Sequence, residues 1–148
     1  MALKVVLDTN VLVSGLIVAN GPSGRILDAV QKGDLALVTS THLLQEFGEV
    51  VARPHIARKY PKVTENAETV LDYLRAHATL VEGKPVERVV ADDPDDDSVI
   101  ACAVEGEAEY IVSGDEHLLA LAQHKAIRIL APAQFVAAVF EADKGAGE

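Results

Sequence analysis

Five short runs rich in branched aliphatic residues recur along the chain: "LKVVL" at 3–7, "LALVT" at 35–39, "TLVE" at 79–82, "EYIVSGD" at 109–115 and "IRIL" at 127–130. Each is followed by a stretch whose apolar side chains recur at helical spacing or by a polar turn leading into one. Strands alternating with helices in this way predict an α/β layered fold with a mainly parallel sheet. The clearest helices are "PSGRILDAVQKG", with Ile26, Leu27 and Val30 on one face and Gly33 at its stop, and "STHLLQEFGEVVARP", capped by Ser40 or Thr41 and ended before Pro54. A third is expected from Thr64, as N-cap, to Ala78, and others across "DPDDDSVIACAVEG", "EHLLALAQ" and "PAQFVAAVF". "NVLVSGLI" is compatible with a further helix, although periodicity alone does not separate it from a strand.

The 148 residues suffice for one folding unit, expected over 1–141 with a frayed tail at 142–148. A hydrophobic fraction of 49% argues against disorder, and 24% charged residues with no long apolar run argue against a membrane span. "MALKVVLD" is too short to read as a signal peptide, and Cys102 is the one cysteine, so a soluble protein of the reducing cytoplasm is expected. The net charge of −10 opposes nucleic-acid binding through a broad basic face. An anionic substrate needs local bases or bound cations.

Carboxylates stand where such folds bind ligands, beyond the carboxyl ends of the strands. Asp8 directly follows the first strand, and Asp115 follows the fourth on a turn with Ser113 and Gly114. Glu46 falls about 300° round its helix from Leu43, on the border of the apolar stripe, where an acid faces either solvent or a polar cleft. In "ADDPDDDSVIACA", Asp93 caps a helix begun by Pro94. Asp96 shares the stripe of Val99, Ile100 and Ala103 and is preferred as the inward acid, with Asp97, about 100° further round, as the alternative. Each acid alone has an ordinary explanation as a cap or a solvated charge. Convergence of Asp8, Glu46, Asp96 and Asp115 on one crevice is costly without a cation, and an all-oxygen set suits Mg²⁺ or Mn²⁺. Thr9, Asn10 and Ser113 would then orient the carboxylates.

Other chemistries lack their parts. The five histidines show no zinc spacing, no Gly-x-Gly-x-x-Gly follows the first strand, and no Walker-type Gly-Lys-Ser/Thr occurs. A phospho-acceptor signalling domain needs an acidic pair before Asp8, which "MALKVVL" lacks.

Taken in order, "VLDTNVLVSGL", the glutamate of "LLQEFGEVVARP", "DPDDDSVIACAVEGEAEYIVSGDEHLL" and "ILAPAQF" resemble the PIN domain family of metal-dependent ribonucleases, in particular its small prokaryotic branch of toxins from toxin-antitoxin pairs. The resemblance spans nearly the whole chain. It implies a three-layer α/β/α fold with a five-stranded parallel sheet in the order 3-2-1-4-5, and it makes Asp8, Glu46, Asp96 and Asp115 the acidic set. His117 stands where many relatives carry a further acid. The resemblance also implies hydrolysis of an RNA phosphodiester with Mg²⁺ or Mn²⁺, a cognate antitoxin and a homodimer, with Arg25, Arg53, Arg58, Lys59 and Lys62 as candidate phosphate contacts. Two other readings keep the same site: a housekeeping RNA or DNA nuclease, which unlike a toxin need not arrest growth, and a catalytically silent domain that binds a partner.

Overall fold

The structure, a computed structural model, describes residues 2–84 and 94–141, with backbone alone at 94 and 95. The chain opens with β1 (Leu3–Leu7), α1 (Thr9–Ile17), α2 (Pro22–Gln31) and β2 (Leu35–Ser40). Four helices follow, α3 (Thr41–Val51), α4 (Pro54–Lys59), α5 (Pro61–Glu65) and α6 (Ala67–His77), before β3 (Thr79–Val81). The remainder comprises α7 (Pro94–Glu105), β4 (Tyr110–Val112), α8 (Glu116–Leu121), β5 (Gln123–His124), β6 (Ile127–Leu130) and α9 (Pro132–Phe135), which runs into a π-helical segment, Val136–Glu141.

The sheet order is β3-β2-β1-β4-β6-β5. All neighbours are parallel except β5 and β6. The five expected strands thus take their expected order, and the sheet gains a sixth at its edge. That sixth strand is two residues long and pairs back through a tight turn at Lys125, whose φ is 55°. "QH" carries no branched or apolar pattern, which is why periodicity does not reveal it.

Alternation along the strands divides the core between two faces. Val5, Leu7, Leu35, Leu37 and Val112 point to one, where α1, α2, α3, α6 and the C-terminal helical segment supply Val11, Ile26, Phe47, Leu71 and Phe135. Val6, Val38, Ile111 and Ile129 point to the other, against Val99, Ile100, Cys102 and Ala103 of α7 and Leu118 of α8. The result is three layers, helices over sheet over helices. The small residues of α7 let it lie close on the sheet. A Cβ on Gly106 would fall on Val38, and Cys102 and Ala103 are fully buried. Burial, and secondarily the charge of Glu105, pushes the Cys102 thiol up to about 12, so it has no thiolate chemistry near neutral pH.

Two expected boundaries move. The helix expected from Thr64 is divided at Asn66 into α5 and α6, and Thr64 is inside α5 rather than at a cap. Pro61 starts that helix earlier, and the Thr64 hydroxyl donates to the Val51 carbonyl at 2.7 Å, tying α5 to the end of α3. Pro54 likewise opens a short helix after ending the previous one, because its missing N–H costs nothing in a first turn. Asp93 and the tail at 142–148 lie outside the described residues. Among the described residues no helix is long and apolar enough to cross a membrane.

Two glycines in helices give opposite expectations. At Gly24 an added Cβ would fall on the backbone of Ala19, which cannot rotate away, whereas at Gly48 it would meet only Leu71 Cδ1, at 3.8 Å. Gly24→Ala should lower unfolding stability by about 1–3 kcal/mol, and Gly48→Ala should raise it by about 0.4–1 kcal/mol, both read from denaturant midpoints. Equal midpoints for the two variants would contradict this packing.

Candidate functional site

Strand order reverses direction between β1 and β4. From β1 the chain moves outward through β2 and β3 by helices on one face, and from β4 it moves the other way through β6 by α8 on the opposite face. The crevice beyond the carboxyl ends of these two strands is where a doubly wound sheet receives ligands. The register pairs Leu7 with Val112, so Asp8 and Ser113 leave the sheet side by side.

Asp8 is the N-cap of α1, in extended backbone conformation. Its Oδ1 accepts from the Thr9 N–H at 2.8 Å, and its Oδ2 accepts from Ser113 Oγ at 2.7 Å. Ser113 Oγ in turn accepts the Asp115 N–H at 2.9 Å. Both Asp8 and Ser113 are buried, so this chain of hydrogen bonds is shielded from competing water. Asp115 caps α8, its Oδ1 accepting from the N–H groups of His117 at 2.8 Å and Leu118 at 3.3 Å. One hydroxyl therefore couples the acid after the first strand to the turn that carries the acid after the fourth.

Across the crevice, α7 presents Asp96, which is only 4% exposed. His117 Nδ1 lies 4.0 Å from Asp96 Oδ2 and 3.7 Å from Asp115 Oδ1. Ligand atoms of Asp96, Asp115 and His117 all lie within 4.8 Å of one another, the spacing of groups that can share one ion. Asp97 is buried as well, at 5% exposure, but lies outside that triplet. Glu46 is half-buried on α3 and lines a surface hollow with His42, Gln45 and Glu49. It too is outside the triplet. Thr9 is buried and contributes its backbone N–H, whereas Asn10 is exposed.

The donor set suits a divalent cation: ligand atoms of two carboxylates and an imidazole lie close together, and Ser113 bonds a third carboxylate, that of Asp8, to the same turn. His117 is the member that residue spacing did not single out as a ligand. No His-x-x-x-His pattern marks it, and its signals were its place two residues after Asp115 at a helix start and the family resemblance, in which that position often holds an acid. Among the candidate bases, Arg53, Arg58, Lys59 and Lys62 are exposed on α4, α5 and the turns beside them, where no acid occurs between Glu49 and Glu65. Arg25 instead lies 3.6 Å from Glu141 and over the ring of Phe140.

Comparison with known proteins shows the family. The family model for the PIN domain matches residues 4–117. Over 121 residues the chain is 35% identical to the uncharacterized protein MJ1680 of Methanocaldococcus jannaschii, covering 80% of this chain and 75% of that one.

Ser113→Ala should remove the bridge while leaving the fold's packing in place. A buried hydrogen bond to a carboxylate contributes roughly 1.5–3 kcal/mol, so urea unfolding should show a loss of that size. An unchanged midpoint would mean that the bridge carries no stability.

Proposed function

The chain belongs to the PIN domain family, whose members are generally metal-dependent nucleases, and from that premise we propose that it is an endoribonuclease hydrolysing RNA phosphodiester bonds with Mg²⁺ or Mn²⁺. The observation that carries this reading is the Asp8–Ser113–Asp115 bridge facing Asp96 and His117 at the strand ends. In this proposal Asp8, Asp96 and Asp115 hold the cation, Glu46 completes the acidic set from α3, and Asp97 is the alternative to Asp96. Ser113 and the Thr9 N–H keep the Asp8 carboxylate oriented, and Asn10 stands at the exposed rim of the same turn.

A bound divalent cation would polarise the phosphoryl group and lower the pKa of a water positioned for in-line attack. The protein's part is to hold its carboxylates rigid and to admit a polyanion to an acidic cleft. Rigidity comes from the caps of α1 and α8, since each carboxylate that accepts a backbone N–H is fixed in direction by its helix. The exposed bases Arg53, Arg58, Lys59 and Lys62 form a local exception to the net charge of −10 and support contact with a nucleic-acid backbone. Arg25 has intramolecular partners and is the weaker candidate. The sequence resemblance also supports a cytoplasmic toxin with a cognate antitoxin, acting as a homodimer.

Cleavage of labelled single-stranded RNA and DNA panels with Mn²⁺, Mg²⁺ or chelator tests the proposal. RNA cutting by the wild type should stop with chelator and fall by about 10²-fold or more in Asp8→Asn and Asp96→Asn, because each removes a charge holding the ion. Equal cutting by wild type and both variants would overturn the site assignment, and cutting of DNA alone would overturn the substrate.

A further inference from the structure

We propose that His117 is a nitrogen ligand of the same ion as Asp96 and Asp115, and that it biases the site toward Mn²⁺ over Mg²⁺. The inference rests on the nuclease reading for the presence of an ion, and it concerns what this chain's own imidazole does there.

His117 is held by its backbone. Its N–H donates to Asp115 Oδ1 at 2.8 Å, a cap bond that fixes the first turn of α8 and leaves the ring beside both carboxylates. The ring nitrogen nevertheless bonds to neither one. Charge-assisted N–H···O bonds are about 2.7–2.9 Å long, and contacts of 3.6 Å or more do not qualify as hydrogen bonds. The observed separations are 3.7 Å to Asp115 Oδ1 and 4.0 Å to Asp96 Oδ2. Two ligands on one ion, each about 2.1 Å from it, stand up to about 4.2 Å apart. The imidazole thus stands too far from either carboxylate for a hydrogen bond, at separations that co-ligands of one ion span.

The chemistry of the donors then separates the two metals. Mg²⁺ takes oxygen ligands in near-ideal octahedra and retains several waters, so a protein nitrogen adds little for it. Imidazole suits Zn, Cu, Fe and Ni best, and Mn²⁺ shares the carboxylate preference of Mg²⁺. As the softer d-block ion of the two, Mn²⁺ tolerates a nitrogen donor beside its carboxylates where Mg²⁺ gains little from one. Where an acid at this position would give an all-oxygen site, His117 gives a mixed one with one less negative charge. The side chain is 56% exposed, which leaves it open to the cleft rather than locked in the core.

The test uses the full chain with Mn²⁺ and Mg²⁺ as probes. Pulsed electron paramagnetic resonance of the Mn²⁺ complex reads directly bonded ¹⁴N, and calorimetric competition reads the Mn²⁺/Mg²⁺ affinity ratio. The wild type should show nitrogen coupling. His117→Asp should bind Mn²⁺ without that coupling and with an affinity ratio lowered about tenfold or more, comparable to the roughly 10–100-fold effects of perturbing a metal's surroundings. His117→Gln, which keeps the side chain neutral, should lose the coupling as well. Mn²⁺ bound without nitrogen coupling, coupling that persists in both variants, or an unchanged affinity ratio would overturn the inference and leave the nuclease reading standing. Failure of the wild type to bind either cation would overturn both.

Discussion

A single hydroxyl, that of Ser113, ties the carboxylate that follows β1 to the backbone of the turn that follows β4. It donates to Asp8 Oδ2 at 2.7 Å across a separation of 105 residues and accepts the N–H of Asp115 at 2.9 Å. This geometry exists only because β1 and β4 are adjacent and parallel with Leu7 opposite Val112. A slip of one residue in that register would turn Ser113 to the other face of the sheet. The functional arrangement thus depends on the same pairing that divides the core between two faces. The outward progression of the chain on either side of β1 and β4 puts a crevice at their carboxyl ends, so its place follows from the topology.

The cleft is acidic in a chain that is already acidic, which sets a constraint on any polyanionic substrate. Cations in the cleft and bases outside it answer that constraint in different ways. The bases from Arg53 to Lys62 are exposed on a stretch with no carboxylate between Glu49 and Glu65, and it is carried by two helices each begun by a proline. Thr64 ties this pair of helices to the end of α3 through the Val51 carbonyl, while the Tyr60 N–H closes the end of α4 on the Ile56 carbonyl. A basic surface attached to α3 is thereby built largely from local turn chemistry.

Most of the fold was legible because its signals are strong and local. Runs such as "LKVVL" and "IRIL" have no competing helical period, and the caps Ser40 and Asp115 stand immediately before apolar stripes. What escaped reading were features with little side-chain signal: the edge strand "QH", paired by its backbone, and the division at Asn66, caused by an earlier proline start. At the site, the adjacency of Asp8 and Asp115 followed from strand order once the first and fourth strands were neighbours. The bridge through Ser113 and the approach of His117 to Asp96 did not, because each depends on side-chain directions that separate elements fix only when packed. Asp96 and Asp97 show this well: both are buried in the first turns of α7, so burial alone does not rank them, and it is packing that brings Asp96 near Asp115 and the imidazole.

The ends of β1 and β4, with the facing turn of α7, are proposed as one cation site. Anomalous diffraction from crystals equilibrated with Mn²⁺ tests it most directly. A single strong peak is expected within bonding distance of carboxylate oxygens of Asp8, Asp96 and Asp115, with the Ser113 bond to Asp8 intact. A peak confined to the hollow beside Glu46 and His42, or no ordered Mn²⁺ anywhere near the strand ends, would contradict it.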